Sequence, residues 1–161
     1  MPINDTESVA VLRDRLVDVG VEMLVRRLSD GFVSLGSAID QVGESTYAAK
    51  LDPAEYILDF AKPATELARL VRLGTAWTTA RGKRLKVLEA RPVRLESGAA
   101  LVSGVLGKTD GVVVVGCGSN DSALKSDALA LLTVQPEGKG PMAAAAWANG
   151  LGRLEETMLG Q

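Results

Sequence analysis

From residue 75 onward, short bursts of strand-forming residues alternate with glycines, and this pattern most constrains the fold. Ala76-Trp77-Thr78-Thr79 is β-branched and aromatic, as strands are. Arg81-Gly82-Lys83 reads as a turn, and Leu85, Val87 and Leu88 carry a second strand to near Pro92. Further strands are expected at 101–106, 112–117 and 128–135, separated by Gly98, Gly107, Gly111 and the stretch from Gly116 to Asp127. Five short strands in so little chain predict a small closed barrel, because closure removes sheet edges. A last helix, about Pro141 to Ala148, is placed to plug one end.

The front half has another period. Residues 6–29 read as one amphipathic helix, with Asp5 or Thr6 as the cap. Val9, Leu12, Leu16, Val19 and Met23 step by three and four along one face, with Asp14, Asp18 and Glu22 on another. A helix of this kind needs a surface to bury its stripe against. The residues after it, broken by Gly31, Gly36 and Gly43, offer little, which points to a missing domain or to self-association. Residues 31–52 read as loop and extended chain. Asp52-Pro53 starts a short turn, and Pro63 opens a helix over about 63–73 that Gly74 ends.

Composition removes several kinds of chemistry. There is no histidine, so histidine-based triads and histidine metal sites are excluded. The single cysteine, Cys117, makes no internal disulfide and no multi-cysteine zinc site; between two glycines after a valine run it reads as a small, partly buried residue. No apolar run reaches the ~18 residues of a membrane span, and the start lacks a secretory signal, so a cytoplasmic location is expected, with neither membrane nor metal as a partner.

The net charge of −2 hides an asymmetry. Residues 1–61 hold five basic and eleven acidic residues, 62–94 hold nine basic and two acidic, and 95–161 hold four basic and seven acidic. One concentrated basic stretch in an acidic chain suggests a local polyanion contact or a solvated strand face. Its densest part is Arg81-Gly82-Lys83-Arg84-Leu85-Lys86, with Trp77 just upstream. Oligonucleotide-binding barrels use strand faces and loops of this make-up. Alternation along the strand sends Arg84 and Lys86 outward and Leu85 and Val87 inward. The glycine-rich spots at 104–107, 116–118 and 138–140 do not have phosphate-loop spacing and are turns.

Taken in order, the motifs resemble the C-terminal region of methionyl-tRNA formyltransferases. Thr46-Tyr47-Ala48-Ala49-Lys50-Leu51 is similar to the family's linker motif. Ile57-Leu58-Asp59-Phe60 stands where the family has an aliphatic, Asp and Trp, and Leu67 to Arg72 resembles its next helix. Ala76-Trp77-Thr78-Thr79 and Arg81 through Val87 resemble the opening of its barrel. Gly116 to Gly118, Leu129 to Leu132, Val134 through Lys139 and Met142 resemble the closing strands, and Ala144 to Gly150 the last helix. Asp5-Thr6 and the helix after them resemble the end of the catalytic domain. There are departures. Leu73-Gly74-Thr75 replaces the family's longer Asn-Pro-Trp-Pro, and the turn from Ser119 to Ser126 is longer than usual. The family's formyl-folate-binding core, with its Asn, His and Asp catalytic residues, is expected before residue 1.

The resemblance implies an α+β fold: an N-terminal helix and linker, then a small Greek-key, OB-like β-barrel with a C-terminal helix. It divides the chain into 1–45, a remnant of the catalytic domain; 46–74, a linker with short helices; and 75–161, the barrel. Full-length members transfer a formyl group from formyl-tetrahydrofolate to methionine esterified to initiator tRNA. The implied role here is tRNA engagement through Lys50, Arg72, Trp77, Arg81, Lys83, Arg84, Lys86 and Lys139, with the missing catalytic domain and initiator tRNA as partners. No cofactor is expected in this chain, and alone it is expected to be inactive. Trp77 either stacks on an exposed base or packs beneath the linker helix, the second being preferred. Two alternatives stand: a barrel module that binds nucleic acid or a partner protein without enzymatic activity, and the barrel of a sugar or peptide formyltransferase.

Overall fold

A computed structural model describes residues 1–4, 6–31, 36–96, 101–118 and 127–160. The chain forms two compact units, Met1–Asp52 and Pro53–Gln161. The sequence divisions were expected at 45/46 and 74/75.

The first unit holds one long helix, α1 (Val9–Ser29). It starts three residues later than expected. Thr6 spends its hydroxyl on Asn4 Oδ1 at 3.0 Å, and Ser8 becomes the cap, its Oγ accepting from the Val11 amide at 3.3 Å. Asp5 lies outside the described residues. Arg15 pairs with Glu7 on the turn before the helix, and Arg26 and Arg27 suit the negative end of its dipole. No residue of α1 is buried. In the expected stripe Leu12 is half-buried, and Val9, Leu16, Val19 and Met23 are 42–62% exposed. Residues 36–52 form no regular element.

The second unit opens with a 3₁₀ turn (Pro53–Tyr56) and then α2 (Ala64–Val71). Ala64, Leu67, Ala68 and Val71 are buried at i, i+3, i+4 and i+7, the spacing of one helix face. Pro63 caps the helix without a side-chain bond; instead Asp127, sixty-three residues on, accepts from the Ala64 amide at 3.0 Å. Gly74, at φ 80°, follows its last turn. α2, expected in a linker, packs on the sheet as part of its core.

The strands are β1 (Trp77–Ala80), β2 (Lys83–Arg94), β3 (Leu106–Thr109), β4 (Val112–Gly116), β5 (Asp127–Pro136) and the two-residue β6 (Met142–Ala143). They form one antiparallel sheet in the order β1-β2-β5-β4-β3, with β6 on β5. Strands β3-β4-β5 run as a meander and β2 returns beside β5, the Greek-key arrangement. The expected strand 101–106 is corrected: Ser103 and Val105 make only isolated bridges, and the strand proper is Leu106–Thr109. Gly104, at φ 79°, breaks the extended run between them. The expected turn from Ser119 to Ser126 lies outside the described residues, as does Gly98. The last helix, α3 (Ala144–Asn149), starts three residues after Pro141, because Met142 and Ala143 pair with β5 first.

The ladder of named strands does not close on itself. The C-terminal segment links its two edges instead. Thr157 carbonyl accepts from the Leu106 amide at 3.1 Å, Leu159 donates to the Gly104 carbonyl at 2.8 Å, and Gly160 donates to the Thr79 carbonyl at 3.0 Å. The space inside is filled by Leu85, Val87, Leu106, Val113, Val115, Leu129, Leu131 and Val134, with Leu67 and Val71 from α2 and Ala144 and Ala148 from α3. A smaller cluster of Leu95, Val114, Ala128 and Ala130 covers the opposite face of β4 and β5. Those strands are buried on both sides, so their sequence runs apolar without alternation.

Candidate nucleic-acid interface

Strands β1 and β2 form a hairpin whose two-residue loop is Arg81-Gly82, closed by Ala80 opposite Lys83. Both loop residues have positive φ, 51° and 71°, as a turn matched to strand twist requires. Thr78, Ala80, Leu85 and Val87 face the core. Alternation leaves Trp77, Thr79, Arg84 and Lys86 on the outer face, as the strand pattern predicted.

Register then builds the surface across three strands. Trp77 stands opposite Lys86, and Lys86 opposite Gln135. Thr79 stands opposite Arg84, and Arg84 is bonded to the turn after β5, where the Glu137 amide donates to the Arg84 carbonyl at 2.9 Å. The Arg84 guanidinium lies over the Trp77 ring, 4.4 Å from its centroid, a cation–π contact. Trp77 is half-buried, and neither expectation for it named this partner. Lys83, Arg84 and Lys86 are exposed, and among the described residues none of the three makes an ion pair.

The other expected residues lie differently. The Arg81 side chain turns to the C-terminal segment, donating to the Leu151 carbonyl and to Thr157 Oγ1 at 3.4 Å. Lys139 is exposed in the turn after β5, and its carbonyl accepts from Gln135 Nε2 at 3.0 Å, tying that turn to the outer face. Arg72 ends α2 and is half-buried. Lys50 is exposed in the first unit, outside any helix or strand. Lys83, Arg84 and Lys86 thus share the hairpin with Trp77, while Arg81 is committed elsewhere.

Two residues of this surface went unnamed as site candidates, Gln135 and Glu137. Glu137 Oε2 accepts from the Arg84 amide at 3.1 Å, placing a negative charge beside the cluster. Nothing local in the sequence pairs β2 with β5, so their presence here follows from topology alone.

The surface is suited to binding rather than to bond chemistry. Cys117 is 1% exposed, and burial followed by the nearby Asp127 charge pushes its thiol up to about 12, far from a nucleophile's range. A groove of about 580 Å³ beside α2 is lined by Ile57, Leu67, Leu70 and Leu73, but two cations, Lys62 and Arg69, and two carboxylates, Glu55 and Glu66, also line it, giving no single sign of charge. Among the described residues no three potential ligands cluster to hold a metal, and no helix is long and apolar enough to cross a membrane.

The profile of the family described as formyl transferase, C-terminal domain, matches residues 50–152. That is well over half of the chain. The chain belongs to this family. In this formyl transferase C-terminal domain, the matched stretch contains all six strands, α2, α3 and all eight expected contact residues. Its relatives point the same way. A methionyl-tRNA formyltransferase of Thermus thermophilus is 38% identical over 164 residues, covering 99% of this chain and 50% of the relative. Those of Renibacterium salmoninarum and Frankia casuarinae are 34% and 33% identical, covering 99% and 92% of this chain and 50% and 48% of the relatives. The C-terminal domain chain therefore spans about half the length of the curated relatives it matches.

Proposed function

We propose that this chain is the tRNA-engaging part of a methionyl-tRNA formyltransferase, the whole protein moving a formyl group from formyl-tetrahydrofolate to the methionyl group on initiator tRNA in translation initiation. The observation that carries this is the exposed trio Lys83, Arg84 and Lys86 beside Trp77, on the outer face of a matched family domain and without ion-pair partners among the described residues. Cations already paired with carboxylates release few counterions on meeting a polyanion; among the described residues these three make no ion pair, and Glu137 beside Arg84 lowers the expected affinity. Phosphate contacts of this kind position an RNA and carry little base information, so weak binding with modest sequence preference is expected.

With Arg81 tied to Leu151, three of the four basic residues of the 81–86 cluster remain as contacts. Their log–log salt slope should be roughly −2 to −3. The test is a titration of tRNA against the wild type and a variant with Lys83, Arg84 and Lys86 changed to Glu, at two salt concentrations. The variant should bind more weakly and with a shallower slope. Equal affinity and slope would make the trio a solvated face and put the tRNA role elsewhere.

A further inference from the structure

The Arg84 guanidinium is held unusually for a surface arginine. Among the described residues no carboxylate pairs with it and no acceptor takes its side-chain N–H groups. What fixes it is the Trp77 ring on one side, 4.4 Å away, and a backbone bonded at both its N–H and its C=O to Glu137. Trp77 is itself anchored: its carbonyl accepts from the Leu58 amide at 2.8 Å, and Leu58 is buried. An exposed arginine ordinarily loses much rotamer freedom when it binds, and one whose guanidinium already rests over a ring has less left to lose. The guanidinium carbon lies over the ring, and among the described residues no acceptor takes the side-chain N–H groups, so they remain available to a phosphate.

We propose that Trp77 is a positioning residue for RNA binding: its ring holds Arg84 so that the guanidinium edge receives a backbone phosphate, and the ring itself does not stack on a base. This rests on the tRNA-binding reading above. Ring and charge then act as one unit, so their substitutions should not add.

The experiment titrates labelled tRNA with the full chain at two salt concentrations, comparing the wild type, Trp77→Leu, Trp77→Phe, Arg84→Ala and the Trp77→Leu/Arg84→Ala pair. Trp77→Leu should weaken binding by roughly two- to tenfold, the cost of re-immobilising one arginine, with the salt slope unchanged because no charge is lost. Trp77→Phe should keep most of the affinity. Arg84→Ala should weaken binding and reduce the slope by about 0.7–0.9. The pair should bind like Arg84→Ala alone. A Trp77→Leu protein that binds like the wild type, or one that weakens binding equally with and without Arg84, overturns the proposal; the second result would mean that the ring meets the RNA directly. Should Trp77→Leu fold poorly, the Arg84 side-chain N–H resonance of the folded wild type decides. An upfield ring-current shift that Trp77→Phe largely keeps is expected, and a random-coil position would overturn the proposal. If Arg84→Ala itself changes nothing, the tRNA-binding reading falls first; if it weakens binding while Trp77→Leu does not, only the positioning role falls.

Discussion

The Cys117 thiol lies in the main core and donates to the Val115 carbonyl at 3.4 Å. Burial and the Asp127 charge raise its pKa from an ordinary value of 9.0 to about 12. The folded chain thus keeps the proton in a range where the unfolded chain releases it. The stability this contributes is complete below about pH 9 and is lost as pH rises from there toward about 12. The gap in unfolding free energy between the wild type and Cys117→Ala should therefore narrow between pH 8 and pH 10.5 in urea melts, and an aromatic disulfide reagent should label the native thiol very slowly at pH 8. A gap that stays constant, or labelling as fast as in urea, would show that the thiol is not shielded. The same scale explains why only part of the basic cluster forms a surface. Arg81, Lys83 and Arg84 are near neighbours in sequence, yet the left-handed backbone of Arg81 sends its side chain to Leu151, away from the other two.

At the scale of elements, α1 and the β1–β2 hairpin stand at opposite extremes. The hairpin buries Thr78, Ala80, Leu85 and Val87 and is fixed on both sides by register. α1 buries nothing, although Val9, Val11, Leu16, Val17, Met23 and Leu24 are all apolar. Each aliphatic side chain left in water forgoes roughly 1.5–3 kcal/mol relative to burial. Amides of α1 should therefore exchange faster than those of residues 76–135, or the chain should self-associate through this helix. Exchange with mass-spectrometric readout and sedimentation check both. Equal protection in a proven monomer would show that the stripe is buried within the chain. The element was legible because a 3.6-residue period survives whether or not a partner is present. Its start was not, because Asn4 takes the Thr6 hydroxyl and leaves the cap to Ser8.

Over the whole second unit, the C-terminal segment decides whether the sheet has open edges. Leu159 is 3% exposed and bonds the Gly104 carbonyl while Gly160 reaches β1. A Cβ on Gly104 would sit 2.9 Å from the Leu159 carbonyl oxygen, at a φ of 79° that L residues rarely adopt. Gly138, at φ 71°, has open space around it. Gly138→Ala should thus cost about 1 kcal/mol of backbone strain, and Gly104→Ala about 3 kcal/mol, through strain plus displacement of the segment. Denaturant melts of the two variants measure the difference. Equal losses would mean that the segment adds nothing at Gly104.

The sequence by itself determined the helix periods, the first strand to within one residue (76–79 expected, 77–80 found) and the outward placement of Arg84 and Lys86, because each depends on residues only a few positions apart. Its motifs, in order, also pointed to the family that the profile match establishes. Only the tertiary structure decided that β2 lies beside β5, bringing Gln135 and Glu137 to the basic face, and that Asp127 caps a helix sixty-three residues earlier. It also decided that the last residues join the sheet's two edges and that Trp77 carries Arg84. Those pairings depend on how strands are ordered in space, and strand order is set by the packing of the whole core rather than by the period of any one segment.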